Sequence, residues 1–224
     1  MEAVVNKTSI KGGEFIIKDT LAEDIFIPEE FSEEQKMMAA AAQDFLDKEI
    51  FPHVERIDGM EEGLMASIMS KAGELGLLGV TVPEEYGGLG MSFNTGMLMA
   101  DIIASSGSFS TAYGAHTGIG TLPILFYGTE KQKQKYLPKL ATGEWKASYC
   151  LTEPDAGSDA NSGKTKAKLT ADGKHYLING QKMWISNAGF ADLFIVFAKI
   201  DDDKNLTAFL VEKSFGGITM NDEE

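Results

Sequence analysis

The order of two periodicities constrains this chain more than any other feature. From Ser32 to about Leu140, apolar residues recur at helical spacing; beyond Gly143 they alternate or run in short apolar blocks. Helices first and strands afterwards argue for segregated α+β architecture, and against alternating strand–helix–strand units around a parallel sheet. Ser32-Glu33-Glu34-Gln35 is a capping box, because the serine oxygen can accept the N–H three residues on while Gln35 reaches back. Met38, Ala41, Phe45 and Leu46 follow at helical spacing, and Pro52 ends or kinks this helix. A second helix is expected over 63–75, with Met65, Ile68, Ala72 and Leu75 on one face and Gly76 as its stop. A third, over 95–103, is apolar nearly all round and is expected to be buried. Thr129-Glu130-Lys131-Gln132 opens a further helix with a second capping box, and Pro138 is expected to close it.

Strands are expected over 164–170, 175–179, 193–198 and 206–212. Asp172-Gly173 makes the first two a hairpin, and residues 201–204 form another turn. Residues 217–220 look like one more strand before the chain reaches Asn221-Asp222-Glu223-Glu224. The expectation is an acidic N-terminal arm (1–30), a helical domain (31–145) and an antiparallel β-domain (146–224) that is incomplete. Four or five strands leave an open sheet edge, so the chain is expected to be the front part of a larger protein.

Formal charge is −14, and residues 1–63 carry 16 acidic and 6 basic side chains. Such a surface repels phosphate backbones, which argues against duplex nucleic acid as a partner. Arg56 is the single arginine, so this chain offers no cluster of guanidinium forks for a ligand phosphate. One cysteine, Cys150, allows no internal disulfide. No run approaches the roughly 18 apolar residues of a transmembrane helix, and the start has no basic region followed by an apolar stretch. The expected setting is the inside of a cell. No metal site is read from the sequence.

Two segments can carry chemistry. Tyr149-Cys150-Leu151-Thr152-Glu153-Pro154-Asp155-Ala156-Gly157-Ser158-Asp159 joins the helical part to the strands. Its proline, glycine and small residues make a tight turn whose hydroxyls and N–H groups can meet a polar or anionic ligand; an ordinary interdomain turn is the plainer reading. Asn179-Gly180-Gln181-Lys182-Met183-Trp184-Ile185-Ser186-Asn187 sets a tryptophan among polar turn residues, either as an aromatic face for a planar ligand or as a buried sheet residue.

Together these segments resemble the signatures of the acyl-CoA dehydrogenase flavoenzymes. Leu75-Gly76-Leu77, the stretch Val82-Pro83-Glu84-Glu85-Tyr86-Gly87-Gly88-Leu89-Gly90, and Tyr127-Gly128-Thr129-Glu130-Lys131-Gln132-Lys133-Gln134-Lys135-Tyr136-Leu137-Pro138 are similar to the family as well. The acidic arm with Ile27-Pro28-Glu29-Glu30-Phe31 resembles the very-long-chain type. The resemblance implies a helical domain, a middle β-domain and a C-terminal four-helix domain, the last absent from these 224 residues. It implies FAD as cofactor, oxidation of an acyl-CoA thioester to the trans-2-enoyl-CoA, transfer of electrons to an electron-transfer flavoprotein, and a homo-oligomer in the bacterial cytoplasm or mitochondrial matrix. Tyr149 to Ser158 would run along the flavin, with the Thr152 hydroxyl at its pyrimidine edge and Ser158 also touching the substrate's pantetheine arm. Trp184, Ile185 and Ser186 would cover the other face, Ser186 near N5. The family's catalytic glutamate and FAD-gripping arginines lie in the C-terminal domain, so no catalytic base is assigned here and Glu153 is not promoted to that role. An acyl-CoA oxidase of the same fold and a non-catalytic binding or assembly module are the alternatives. Small residues over 105–122 either line part of an acyl pocket or pack helices closely.

Overall fold

The computed structural model describes residues 10 and 12–221. The expected α+β order holds: among the described residues eight α-helices precede five strands, with one strand slipped in where a connecting turn is expected. The first helix, α1 (Glu14–Ile17), is a single exposed turn in the acidic arm. Among the described residues of the arm none is buried, although Phe26 packs edge-on against Phe31, 5.1 Å between ring centres. Residues 1–9 and 11, also part of that arm, fall outside the described residues.

Helix α2 (Glu33–Phe45) begins at the capping box: Ser32 Oγ accepts Gln35 N–H, and Gln35 Oε1 accepts Ser32 N–H. Its inward face is Ala42 and Phe45; Ala41, one position off, is exposed. The helix widens into a π-turn (Leu46–Ile50), tightens at Phe51–His53 around Pro52, and resumes as α3 (Val54–Asp58), so the proline kinks the path. Helix α4 (Leu64–Glu74) ends on Gly76, whose positive φ of 76° lets Leu77 N–H close back on Ala72 O. Helix α5 (Phe93–Ile103) is less buried than its composition predicts: Met99 and Ile103 are enclosed while Phe93 and Met97 face out.

Residues 105–122 hold little apolar periodicity yet are helical. Helix α6 (Ser108–Gly114) opens into a second π-turn (Ala115–Gly120), followed by α7 (Leu122–Tyr127). Helix α8 (Glu130–Ala141) starts at the Thr129–Gln132 capping box and, contrary to expectation, runs past Pro138. An interior proline costs about 3 kcal/mol. Here Leu137, Leu140 and Ala141, all buried against the sheet, outweigh it.

The sheet is mixed, not antiparallel throughout. Strands β2 (Lys166–Leu169) and β3 (Tyr176–Asn179) form the hairpin around Asp172-Gly173, and β4 (Leu193–Ile200) pairs antiparallel with β5 (Thr207–Glu212). Strand β1 (Ala147–Cys150), which no sequence signal announces, runs parallel to β4 with Ala147 opposite Leu193, and β2 continues that side in parallel. Residues 217–220 form no strand: Gly216 and Gly217 both take positive φ and turn the chain off the sheet. Residues 222–224 lie outside the described residues.

One core lies among the helices, around Phe45, Leu46, Ile68, Met69, Met99 and Phe109. A second joins α7 and α8 to one sheet face through Ile124, Leu137, Leu140, Leu193 and Ile195. Polar side chains also tie the sheet region to helices α4 and α8. Glu212 accepts from Lys135 Nζ and, at 2.9 Å, from Tyr136 Oη, and Lys146 Nζ donates to Ser70 Oγ at 2.7 Å.

Candidate functional site

The first candidate segment starts inside the sheet. In β1, Tyr149 turns to the α8 side, its ring 4.9 Å from that of Phe197, while Cys150 turns to the other side beside Phe194. Burial pushes the Cys150 thiol up to about 12. Cys150 is enclosed, while Tyr149 is half-buried. The chain leaves the sheet at Leu151 and closes a tight turn through reciprocal backbone bonds between Glu153 and Ala156, 3.0 and 3.1 Å. Pro154 and Asp155 occupy the exposed corner, Ala156 tucks under, and Gly157 and Ser158 are exposed again.

Glu153 turns inward. Its carboxylate accepts Lys182 Nζ at 2.7 Å, Lys164 N–H at 2.6 Å and Thr165 N–H at 3.1 Å. The Glu153 and Lys182 side chains are 5% and 12% exposed, so this is a buried ion pair. Burial alone would raise the carboxyl's pKa; the hydrogen bonds from Lys182 and the Lys164–Thr165 backbone outweigh it and hold the group down at about 2. A carboxylate held ionised this firmly is a brace and a poor proton acceptor at neutral pH. Gly163 and Gly180 make room for it: a Cβ on Gly163 would meet Glu153 Oε1 at 3.0 Å, and one on Gly180 would meet Thr165 Oγ1 at 2.3 Å. A polar hollow of about 290 Å³ lies beside the turn, lined by Asp155, Lys164, Asn179 and Gln181 among others.

The second segment is stitched to the first. Lys182 Nζ also donates to Leu151 O at 3.2 Å, Met183 N–H donates to Thr152 O at 2.9 Å, and Ser148 Oγ donates to Ser186 O at 3.0 Å. Between these ties the backbone arches. Trp184 takes φ of 58°, a left-handed conformation that costs a bulky residue about 1–3 kcal/mol, and its side chain is 68% exposed. The buried-tryptophan alternative is therefore excluded. Ile185 packs against Ala191 and Phe194, Ser186 is exposed, and Asn187 is buried at φ of 67°.

Of the thirteen candidate residues, Cys150, Glu153 and Ala156 are buried in the scaffold, Tyr149 and Ile185 are half-buried against apolar clusters, and Leu151 and Thr152 are half-buried on the loop. Pro154, Asp155, Gly157, Ser158, Trp184 and Ser186 are exposed on adjoining loops. Among the described residues, the Thr152 hydroxyl and the N–H groups of Gly157 and Ser158 have no partner within the chain. The role of Lys182 was not legible from the sequence, although a glutamate in an apolar turn demands a cation and a lysine stands two positions before the tryptophan. Among the described residues no group of three His, Cys, Asp or Glu could hold a metal ion, and no helix is long and apolar enough to cross a membrane.

Residues 32–144 match the acyl-CoA dehydrogenase N-terminal domain and residues 148–224 the acyl-CoA dehydrogenase middle domain. The chain belongs to the acyl-CoA dehydrogenase family. A probable acyl-CoA dehydrogenase of Bacillus subtilis is 49% identical over 214 residues, covering 96% of this chain and 36% of the relative. The rat mitochondrial very long-chain specific acyl-CoA dehydrogenase is 48% identical over 155 residues, 65% of this chain and 24% of its own length. A Bacillus anthracis acyl-CoA dehydrogenase solved in complex with FAD superposes with a TM-score of 0.92 at 48% identity, covering 96% of this chain and 38% of that one. The family member described here thus spans roughly a quarter to a half of the length of such relatives.

Proposed function

We propose that this chain is the helical (31–145) and middle β (146–224) portion of an FAD-dependent acyl-CoA dehydrogenase that converts acyl-CoA thioesters to trans-2-enoyl-CoA in fatty-acid β-oxidation. The observation that carries the reading is the outward, strained Trp184 beside unpartnered hydroxyl and N–H groups on the loop 151–158. A left-handed tryptophan held out to solvent is a cost the fold has no internal reason to bear. It fits a flat ring system, and the neutral donors around it fit that ring's nitrogens and carbonyls. The superposition on an FAD-bound relative supports the same assignment.

When bound, FAD supplies the hydride acceptor. The chain's own residues supply shape. Trp184 would cover one face of the ring and exclude water, Ser186 would present a hydroxyl toward its reactive edge, and Thr152 with the Gly157 and Ser158 N–H groups would orient the polar edge. Ser158 would also reach the thioester's pantetheine arm. Neutral donors favour an electron-rich ring without a fixed positive charge nearby. The family resemblance places the proton-abstracting carboxylate in the C-terminal domain, and Glu153, held by Lys182 Nζ and the Lys164 and Thr165 N–H groups, is no candidate for that role. A single arginine, exposed and paired with Glu61, likewise leaves the pyrophosphate to be gripped from elsewhere. An electron-transfer flavoprotein is the proposed electron acceptor, and a homo-oligomer the proposed assembly.

The test uses protein purified from its full reading frame. Bound flavin and anaerobic bleaching with palmitoyl-CoA are expected. Trp184→Ala is expected to weaken FAD binding about tenfold and brighten flavin fluorescence, since stacking on an indole contributes on the order of 1 kcal/mol beyond burial. Unchanged affinity and fluorescence in that variant overturn the placement of the flavin.

A further inference from the structure

The two candidate segments are braced together at one end by Lys182 and Glu153. At the other end a single residue's backbone holds both. Ala147, fully buried, stands two positions before Tyr149. Its N–H donates to His116 Nδ1 at 3.1 Å, and its C=O accepts from Asn187 Nδ2 at 3.3 Å. Each of these side chains also grips the helical part. His116 Nε2 lies 3.0 Å from Leu140 O in α8, and Asn187 Nδ2 donates to Ala112 O in α6 at 2.9 Å. The acceptor role at Nδ1 and the donor role at Nε2 describe one neutral tautomer. Burial drives the ring's pKa down to about 4, with the Lys146 charge helping and the Leu140 bond opposing.

The surroundings leave this arrangement no slack. His116 sits in the π-turn, where its own carbonyl is capped by Thr121 Oγ1 at 2.7 Å. Four residues on, a Cβ on Gly120 would stand 2.8 Å from Ala147 Cβ, so the turn presses directly on β1. Asn187 directly follows Ser186 and holds a φ of 67°. π-turns and left-handed non-glycine residues are both costly and both cluster at functional positions.

We propose that His116 and Asn187 are positioning residues that clamp the Ala147 backbone from opposite sides, setting the height of β1 on the helical domain and with it the spacing between the Thr152 loop and the Trp184 arch. The proposal rests on the reading of those two loops as the flavin site. A clamp of this kind acts through hydrogen-bond direction. A residue that merely filled space at position 116 could be replaced by another of similar bulk.

That contrast sets the experiment. His116→Asn keeps an acceptor near the Nδ1 position and loses the reach to Leu140 O. His116→Leu keeps bulk and loses both. Asn187→Gly removes the amide while tolerating the positive φ. Hydrogen-exchange mass spectrometry reports the Ala147 amide, flavin titration reports FAD affinity, and the difference in tryptophan emission between each variant and its Trp184→Phe counterpart reports the Trp184 arch apart from Trp145. His116→Leu and Asn187→Gly are each expected to speed exchange at Ala147 and weaken FAD binding about tenfold, one net hydrogen bond's worth. His116→Asn is expected to stay within about threefold of the parent in both, even where its thermal midpoint drops. The double variant is expected to lose less than the product of its singles, because both act on one stretch of backbone. Equal FAD affinity in His116→Leu and His116→Asn overturns the clamp, as does faster Ala147 exchange without any loss of affinity. Should His116→Leu fail to fold, Asn187→Gly decides on the same readouts. A parent that binds no FAD sinks the flavin reading alone. The clamp then stands or falls on Ala147 exchange and tryptophan emission, which His116→Leu must move and His116→Asn must not.

Discussion

Replacing Glu153 with glutamine changes one atom and removes one charge, and the structure says what that charge is worth. The carboxyl's pKa is pulled from 4.5 to about 2 although burial pushes the other way, so the fold favours the ionised form by about 3 kcal/mol. Glutamine keeps one acceptor for the Lys164 and Thr165 N–H groups but leaves Lys182, 12% exposed, without a counter-ion. Breaking a buried pair from one side typically costs about 3–5 kcal/mol, so both routes agree. For a chain of this size about 3 kcal/mol lowers the thermal midpoint by roughly 6–12 °C. The folded-state pKa lies below the unfolded one. The contribution is therefore complete above about pH 4.5 and drains away as pH falls toward 2. Buried neutral His116 withholds a proton that the unfolded chain takes up, so it destabilises in a separate, higher window, between about 6.5 and 4. Urea denaturation at pH 7, 5 and 3, followed by circular dichroism, separates the two. Glu153→Gln is expected to be weaker at pH 7 and to lose the step below pH 4.5 while keeping the step above it. Glu153→Gln combined with Lys182→Met is expected to recover much of the loss, because it removes the stranded cation. A Glu153→Gln variant as stable as the parent at pH 7, with an unchanged acid limb, refutes the brace.

Gly180→Ala is expected to lower stability by about 1–3 kcal/mol, since its Cβ would lie 2.3 Å from Thr165 Oγ1 and 2.6 Å from Thr165 Cβ. A Thr165→Ala background should not rescue it, because alanine keeps the Cβ and the backbone that the new methyl group would strike; full rescue in a thermal melt would count against this packing. Ser32→Ala should cost about 1 kcal/mol through loss of the Gln35 N–H cap, read as a small drop in the urea midpoint with no change at the Trp184 arch.

What the sequence disclosed and what it withheld divide by the distance between partners. The capping boxes at Ser32 and Thr129 and the Asp172-Gly173 turn were legible because every group they satisfy lies within four residues, so no tertiary knowledge enters. Strand β1 was not. Its four residues pair with β4 more than forty positions away, and their parallel direction depends on the whole helix-to-sheet connection. The π-turn at 115–120 was hidden for another reason. Its glycines, threonine and histidine carry no apolar period, and its shape comes from what the carbonyls and the ring of His116 must reach. Pro138 misled because a local rule was applied where three buried residues around and beyond it decide the outcome.

The candidate site lies on the hidden side of that division. Its motif letters were visible, yet the letters did not say which side chains face the ligand and which hold the loop. Glu153, expected along the flavin loop and not as a base, is the buried brace of that loop; Trp184 could have been scaffold and faces out. In each case a buried polar group had to find a partner from another segment: Lys182 for Glu153, Ala147 for both His116 and Asn187. A turn made of Pro, Gly and Ala has almost no apolar area with which to define its own shape. Its geometry must be set by such bonds, and each one left unmade costs about 1–3 kcal/mol. The loops therefore stay in register only while all three of these partnerships hold. A single change that removes any one of them should disturb a ligand that touches none of them.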